Sequence, residues 1–443
     1  MYAEPQPVYG GPFNAVSVLD DTLRGRNMVY RALCVVQRRS CQESCHARPA
    51  VSGHEGEFME LYLHIPFCVR KCEYCSFVSF SASENDKRKY VSTIVREAEM
   101  RCHEANEPVE TVFIGGGTPS LLAPEQFSDL VRGIRNFFPF RDPVEFSVEA
   151  NPGTVSESFL RAAVSAGVNR ISLGMQAYQT PILQFLGRIH TFEDVKRSVG
   201  LIRSSGIRNI NLDLIFGIPG QTLSEWKETL DAAISLSPDH ISAYGLIPEE
   251  GTPLFRRLES KDAELPDPEL ERQMYDLAIR ILRTAGLEQY EISNFARKGF
   301  ECRHNIGYWN QAQYIGLGLS ASSMLILNHH SDGLTCLRKT NPSDPVVYEE
   351  MIRSGDFSAV ERETVLPAEA RFETMMLSLR MNRGISESRF LELHGVTIES
   401  CYGDKLERLL REGLLRHDNG TWSLTRRGMD IQNSILVELM EEP

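Results

Sequence analysis

The chain has 443 residues, 42% hydrophobic and 24% charged, with a net charge of −13. That is ordinary globular composition with room for two or three domains. The acidic balance excludes a broad nucleic-acid-binding face, and no apolar run reaches the roughly 18 residues of a membrane span.

Residues 1–58 show no convincing periodicity and are read as a disordered extension. The longest apolar run there, Ala32 to Val36, is too short for a signal-peptide core. Met59 stands immediately before the first strand pattern and looks like a natural start. Ten cysteines without a secretion signal argue against a disulfide framework, so a cytoplasmic protein is expected. Cys34, Cys41 and Cys45 lie in the extension, with Cys41 and Cys45 the one candidate metal pair there. Cys102, Cys302, Cys336 and Cys401 are scattered singly and read as small buried or inert thiols.

From about 59 to 300 one unit repeats. Strand-like segments at Leu61–Phe67, Thr111–Gly115, Glu145–Ala150, Arg170–Gln176, Asn209–Phe216 and His240–Leu246 alternate with longer helix-like ones. The helices are expected at Glu84–Ala105, Pro124–Phe138, Ser156–Ala166, Phe192–Ser205 and Ser224–Leu236. Such alternation predicts βαβ units and a parallel sheet, either open or as a partial (β/α)6 TIM-like barrel. The barrel is favoured because each strand runs into unusual chemistry at its C-terminal end: Cys68, GGGTP, EANP, Gln176, the Asp213/FGIPGQ region and Tyr244. Within Asn209–Phe216, alternation sets Asn211 and Asp213 on one face and Ile210, Leu212 and Leu214 on the other. An inward carboxylate is costly unless it binds something. Residues 301–365 carry irregular apolar and turn segments and are read as a connecting region containing HNIGYW. From 366 to 443 a helix, a hairpin around Asp418–Gly420 and a further helix predict a winged-helix-like domain, α+β with what precedes it, suited to packing or interaction rather than DNA binding.

HIPFCVRKCEYCSF places Cys68, Cys72 and Cys75 in C-x3-C-x2-C spacing just past the first strand. Zinc sites use two separated ligand pairs, and no second pair occurs. Three thiols on one loop, unless merely structural, suit an iron–sulfur cluster. A [4Fe–4S] cube so held keeps one iron open, and Phe77 supplies no fourth bond.

This motif at the end of a first barrel strand resembles the radical S-adenosylmethionine superfamily, and the resemblance spans about 60–440. YLHIPFC, GGGTPS, SVEANPG, LGMQ, LGRIHT and NLDLIFGIPGQT narrow it to the group holding the oxygen-independent coproporphyrinogen dehydrogenases (HemN) and the HemW heme chaperones. The resemblance implies a [4Fe–4S] cluster on Cys68, Cys72 and Cys75, with S-adenosylmethionine chelating the open iron. It gives S-adenosylmethionine contacts to Tyr62, Gly116, Gly117, Thr118, Glu149, Gln176, Arg188 and Asp213. Physical roles fit these types: glycine lets backbone approach the methionyl amine, Arg188 can fork a carboxylate, and Glu149 or Asp213 can accept from an ammonium or ribose hydroxyls.

Within the group, the dehydrogenases carry a cysteine where this chain has Phe77, and an N-terminal segment unlike residues 1–58. HemW-type proteins have Phe there and an H-N-x-x-Y-W motif implicated in heme binding. His304 is then a candidate heme ligand, with Cys302 as alternative, and Tyr308 and Trp309 offer flat apolar faces to a porphyrin. The expectation is a heme chaperone that receives heme, delivers it to a client hemoprotein and takes electrons from a flavodoxin or ferredoxin. The alternative is a radical enzyme acting on coproporphyrinogen III or another tetrapyrrole; a degenerate binding module is disfavoured by the intact cysteine triad. The oligomeric state is not fixed by the sequence.

Overall fold

The computed structural model describes residues 59–330 and 333–440. The expectations for 1–58, the Cys41/Cys45 pair included, lie outside the described residues. Six strands, β1 (Met59–Ile65), β2 (Val109–Gly116), β3 (Phe140–Ala150), β4 (Arg170–Gln176), β5 (Asn209–Phe216) and β6 (His240–Gly245), lie side by side in chain order and all parallel. Between them run α1 (Glu84–Arg101), α2 (Pro124–Phe137), α3 (Glu157–Ser165), α4 (Thr180–Phe185), α5 (Phe192–Ser204) and α6 (Leu223–Ser235). Local chemistry starts these helices where they start. Ser83, Ser156, Thr191 and Thr222 each accept a first-turn amide, and Asp86, Asp194 and Glu225 close reciprocal capping boxes. The result is the expected partial (β/α)6 barrel.

Period-two alternation divides each strand. One row, including Leu61, Leu63, Val112, Ile114, Val148, Ile171, Leu173, Ile210, Leu212 and Ile241, is buried in one apolar cluster with residues of the surrounding helices such as Ile94, Leu130, Phe159, Val199 and Leu230. The other row faces the lumen and is mostly polar: Tyr62 and His64, Thr111, Glu145, Ser147 and Glu149, Arg170 and Ser172, Asn211 and Asp213, His240 and Ser242. Hydrogen bonds between strands, such as Ser172 to Asp213 and His240 to Asn211, join this row. Barrels of this class are usually filled by branched apolar side chains. This one is lined with hydrogen-bonding groups.

The sheet does not stop at six strands. After α7 (Pro253–Glu259) and α8 (Pro268–Thr284), β7 (Glu288–Gln289) and β8 (Asn294–Ala296) extend it beyond β6. The region 301–365, expected to be irregular, supplies α9 (Arg303–Trp309) and four strands. β9 (Gln313–Leu317) pairs parallel to β1, and β10 (Ser322–His330), β11 (Gly333–Thr340) and β12 (Glu361–Val365) follow antiparallel. α9 lies across the foot of the barrel, the end where the strands begin. Its Arg303 and His304 amides donate to Glu145, and Gly307 sits so close to β1 that a Cβ there would fall 1.7 Å from Glu60 Oε1.

The C-terminal unit has its own core, including Phe390, Ile398, Tyr402, Leu406, Leu409, Trp422 and Leu436. Helices Glu387–His394 and Ile398–Arg411 precede a hairpin, Leu415–Asp418 with Thr421–Leu424, turned by Asn419 and Gly420 in the left-handed region. This is the winged-helix-like arrangement. Arg272 to Asp430 and Arg426 to Asp276 tie it to α8.

The added strands are held to the barrel by one buried carboxylate. Glu97 on α1 is fully buried and accepts from Arg101 Nη1 (2.9 Å), Asn341 Nδ2 (2.7 Å), Gly318 N (2.8 Å) and Tyr348 OH (2.6 Å). Arg101 also donates to Gly316 O and Ser323 Oγ, both at 2.9 Å. Removing one member of such a buried pair leaves an uncompensated charge. Arg101→Ala should therefore cost about 3–5 kcal/mol in chemical denaturation, against under about 0.5 kcal/mol for the exposed Arg161→Ala.

Candidate functional site

The strand ends gather at the opposite, C-terminal mouth. The cysteine loop leaves β1 and is fastened at several points. Cys68 N donates to Phe80 O (3.0 Å), Phe80 N to Pro66 O (2.8 Å), Glu73 N to Leu186 O (3.0 Å) and Leu254 N to Glu73 O (2.9 Å). Cys68, Cys72 and Cys75 are all free and part-buried, and burial pushes the Cys75 thiol up to about 11. Among the described residues no three His, Cys, Asp or Glu side chains converge tightly enough for a single ion. A cube asks for something different, since each cysteine binds a separate corner.

A belt of polar side chains joins two of the cysteines. Thr118 Oγ1 lies 3.6 Å from Cys68 Sγ and accepts from Asn151 Nδ2 at 2.6 Å. Asn151 Oδ1 accepts from Arg188 Nη2, which also donates to Gly174 O at 2.8 Å, while Arg188 Nη1 reaches Cys72 Sγ at 3.4 Å. Arg188 Nε is buried without a partner, so that N–H remains for an anionic group. Asn151 was not singled out in the sequence; its only signal was its place in EANP, two residues past Glu149.

The glycine run is pressed onto the exit of β1. Gly116 has φ +105°, and a Cβ there would lie 2.4 Å from the His64 ring; one at Gly117 would lie 2.7 Å from Phe67 O. The amides of Gly116, Gly117 and Thr118 donate to Glu149 Oε2 (3.0 Å), Ile65 O (2.8 Å) and Phe67 O (2.7 Å). With these N–H groups engaged, the run offers a ligand only acceptors, which suits an ammonium and not an anion.

Two carboxyls share the lumen just below. Burial, and then the charge of Asp213, push Glu149 up to about 7. Burial also raises Asp213, opposed by hydrogen bonds from Ser172 Oγ (2.8 Å) and Asn211 Nδ2 (2.8 Å). A ligand carrying an ammonium and a sulfonium would supply the missing countercharge. Gln176, at the end of β4, holds φ +63° while buried, a conformation that costs about 1–3 kcal/mol in a side-chain-bearing residue. Tyr62 donates to His64 Nδ1 at 3.1 Å; His64 Nε2 carries the proton because it meets Val78 O at 2.9 Å. Gly116, Gly117, Thr118, Gln176 and Arg188 thus lie at the strand ends with the three cysteines, Glu149 and Asp213 in the lumen below them, and Tyr62 deeper on β1 between Phe113 and His64. An acceptor, a cationic fork and an acidic pair around three thiols fit a cluster and its aminoacyl ligand.

HNIGYW lies elsewhere, on α9 at the foot. His304 is 1% exposed, its Nδ1 is 2.7 Å from Thr111 Oγ1 and its Nε2 is 2.9 Å from Tyr308 OH. Burial holds the imidazole down to about 3, so it is neutral. Trp309 lies under the Arg380 guanidinium at 4.5 Å, with Nε1 buried and unpartnered. Beside α9 opens a cleft of about 620 Å³, lined among others by Glu145, Asn209, Tyr290, Arg303, Ile306 and Arg383. The alternative ligand Cys302 is fully buried against Glu145 Oε1 at 3.5 Å.

The Glu149 shift has a sign. Its folded-state value lies above the ordinary glutamate value of 4.5, so the folded protein holds an extra proton between about 4.5 and about 7. Its contribution to stability is lost as pH rises through that window. In urea titrations of the metal-free protein, Glu149→Gln should gain stability relative to wild type at pH 8 compared with pH 5; an unchanged difference would contradict the assignment.

Comparison with known proteins agrees with this geometry. The radical SAM superfamily model matches residues 62–233, and the HemN C-terminal domain model matches 365–431. The heme chaperone HemW of Bacillus subtilis is 34% identical over 383 residues, 86% of this chain and 99% of that protein. HemW of Escherichia coli K12 is 34% identical over 386 residues, covering 87% and 98%. A mitochondrial radical S-adenosyl methionine domain-containing protein 1 of Danio rerio is 32% identical over 332 residues, covering 74% of each. The crystal fold of coproporphyrinogen III oxidase (HemN) from Escherichia coli superposes with a TM-score of 0.74 at 23% identity, over 87% of this chain and 90% of that one. With a third of its residues shared over nearly the whole length of such relatives, the chain belongs to the HemW family of the radical S-adenosylmethionine superfamily.

Proposed function

We propose that the protein is a heme chaperone that binds one [4Fe–4S] cluster and one S-adenosylmethionine, takes up heme and passes it to a client hemoprotein. Cys68, Cys72 and Cys75 would hold the cluster, with S-adenosylmethionine bound beside it. When bound, the pair supplies one-electron reductive chemistry. The chain's own part is to bind and orient: Arg188 offers its free Nε to the carboxylate, the glycine run accepts the ammonium, and Glu149 and Asp213 balance the positive charge. Tyr62 and Gln176 close the lumen around the ligand. A flavodoxin or ferredoxin is the electron donor, and the cytoplasm is the compartment in which such thiols stay reduced.

The observation that carries the chaperone reading is the separation of the two motifs. The cysteine loop follows the end of β1, whereas HNIGYW packs on Glu60 of β1, Thr111 of β2 and Glu145 of β3. A porphyrin held at the foot would lie at the other end of the lumen from the cysteine loop, the arrangement of cargo rather than substrate. His304, Tyr308 and Trp309 are the heme-binding residues, and ligation through Nε2 requires Tyr308 to give up its hydrogen bond. The enzymatic reading keeps one argument of its own. Val69, Phe77, Ile189 and Ile247 around the mouth are all more than half exposed, an apolar rim that a tetrapyrrole could meet.

Heme titration of cluster-loaded protein should give a shifted Soret band, weakened in His304→Ala and reached faster in Tyr308→Phe. An unchanged titration in His304→Ala would remove that ligand. Reduced anaerobically with S-adenosylmethionine and coproporphyrinogen III, the protein should give no protoporphyrinogen IX; sustained turnover would establish the enzymatic reading instead.

A further inference from the structure

A chain of hydrogen bonds crosses the barrel interior, and its donor directions are fixed. Asp213 accepts only, so Asn211 turns Nδ2 toward it (2.8 Å) and toward Ser172 Oγ (2.7 Å). Asn211 Oδ1 then faces His240 Nδ1 at 2.6 Å, and His240 must carry its proton there. His240 Nε2 is left bare and meets Tyr290 OH at 2.9 Å, so the phenol donates; Tyr290 oxygen in turn accepts the Cys302 amide at 3.3 Å. Ser242 Oγ adds a second donor to Asn211 Oδ1 at 3.2 Å, and Ser172 Oγ donates to the other oxygen of Asp213. Every donor points toward Asp213. The middle of the chain is dry: Asn211 is 1% exposed and His240 0%.

Such an array polarises along its length, and in a low-dielectric interior an aligned chain holds its terminal acceptor more firmly than separate bonds do. Asp213 needs that help, because it shares the lumen with Glu149 and both are raised by burial. We infer that His240 and Tyr290, through Asn211, are positioning residues that hold the Asp213 carboxylate in place for S-adenosylmethionine. Neither touches the mouth; Tyr290 lies at the other end of the barrel, lining the foot cleft. The inference rests on the proposed S-adenosylmethionine site.

The test is equilibrium binding of S-adenosylmethionine to cluster-loaded wild type, Tyr290→Phe, His240→Phe and His240→Asn. Tyr290→Phe removes one hydroxyl and leaves the ring; it should raise the Kd about three- to tenfold, the worth of one hydrogen bond. His240→Phe should weaken binding further. His240→Asn, whose amide can replace the Nδ1 proton toward Asn211, should recover part of the loss. The visible iron–sulfur absorption should match wild type in all of them, which separates positioning from damage to the cluster. Should His240→Phe fail to fold, Tyr290→Phe alone decides. Wild-type affinity in Tyr290→Phe, or no recovery in a folded His240→Asn relative to His240→Phe, would overturn the inference while leaving the cofactor site standing. No binding by wild type would overturn that site and the inference with it.

Discussion

The structure turns on the burden of a polar lumen. Six parallel strands give their outward rows to the helices, and those rows are apolar without exception among Leu61, Ile114, Val148, Leu173, Leu212 and Ile241. The inward rows carry Glu60, Glu145, Glu149, Arg170, Asn211, Asp213 and His240. A buried polar group without a partner costs roughly 1–3 kcal/mol, more if charged. The interior is therefore stable only as a network in which strands satisfy one another, or where a ligand completes the set.

The two ends of the barrel meet that demand differently. At the foot, α9 covers the lumen: its amides go to Glu145 and its His304 to Thr111, while Glu60, against Gly307, stays buried with neither oxygen hydrogen-bonded. At the mouth the network stays incomplete, with two carboxyls near one another and an unpartnered Arg188 Nε beside three free thiols. The cysteine loop itself is held at both ends by backbone bonds to Phe80 and Leu186. The fold thus spends its rigidity on presenting groups that it does not itself satisfy.

Much of this was legible in the residues. Strand–helix alternation fixed six βα units, since each strand is bounded by capping residues and glycine turns. The split within β5 already announced an inward Asn211 and Asp213. The same rule applied to the other strands would have revealed the whole polar lumen, His240 included. Asn151 and Tyr290 were beyond reach, because their roles depend on partners 33 to 50 residues away that only the register brings together. The region 301–365 was misread as irregular for a similar reason. β9 pairs with β1 across some 250 residues, and its flanking GLGLSASS resembles a turn when that partner is unseen. Contact between HNIGYW and the foot, rather than the mouth, was likewise invisible until α9 was placed.

The central claim is that the unfinished network at the mouth is completed by a cluster and its aminoacyl ligand. Electron paramagnetic resonance of the reduced, iron–sulfur-reconstituted protein, recorded with and without S-adenosylmethionine labelled with nitrogen-15 at its amino group, tests it most directly. The account predicts a changed cluster spectrum on addition and a hyperfine coupling from the labelled nitrogen. A four-iron signal that S-adenosylmethionine leaves unchanged, with no coupling from the label, would contradict it.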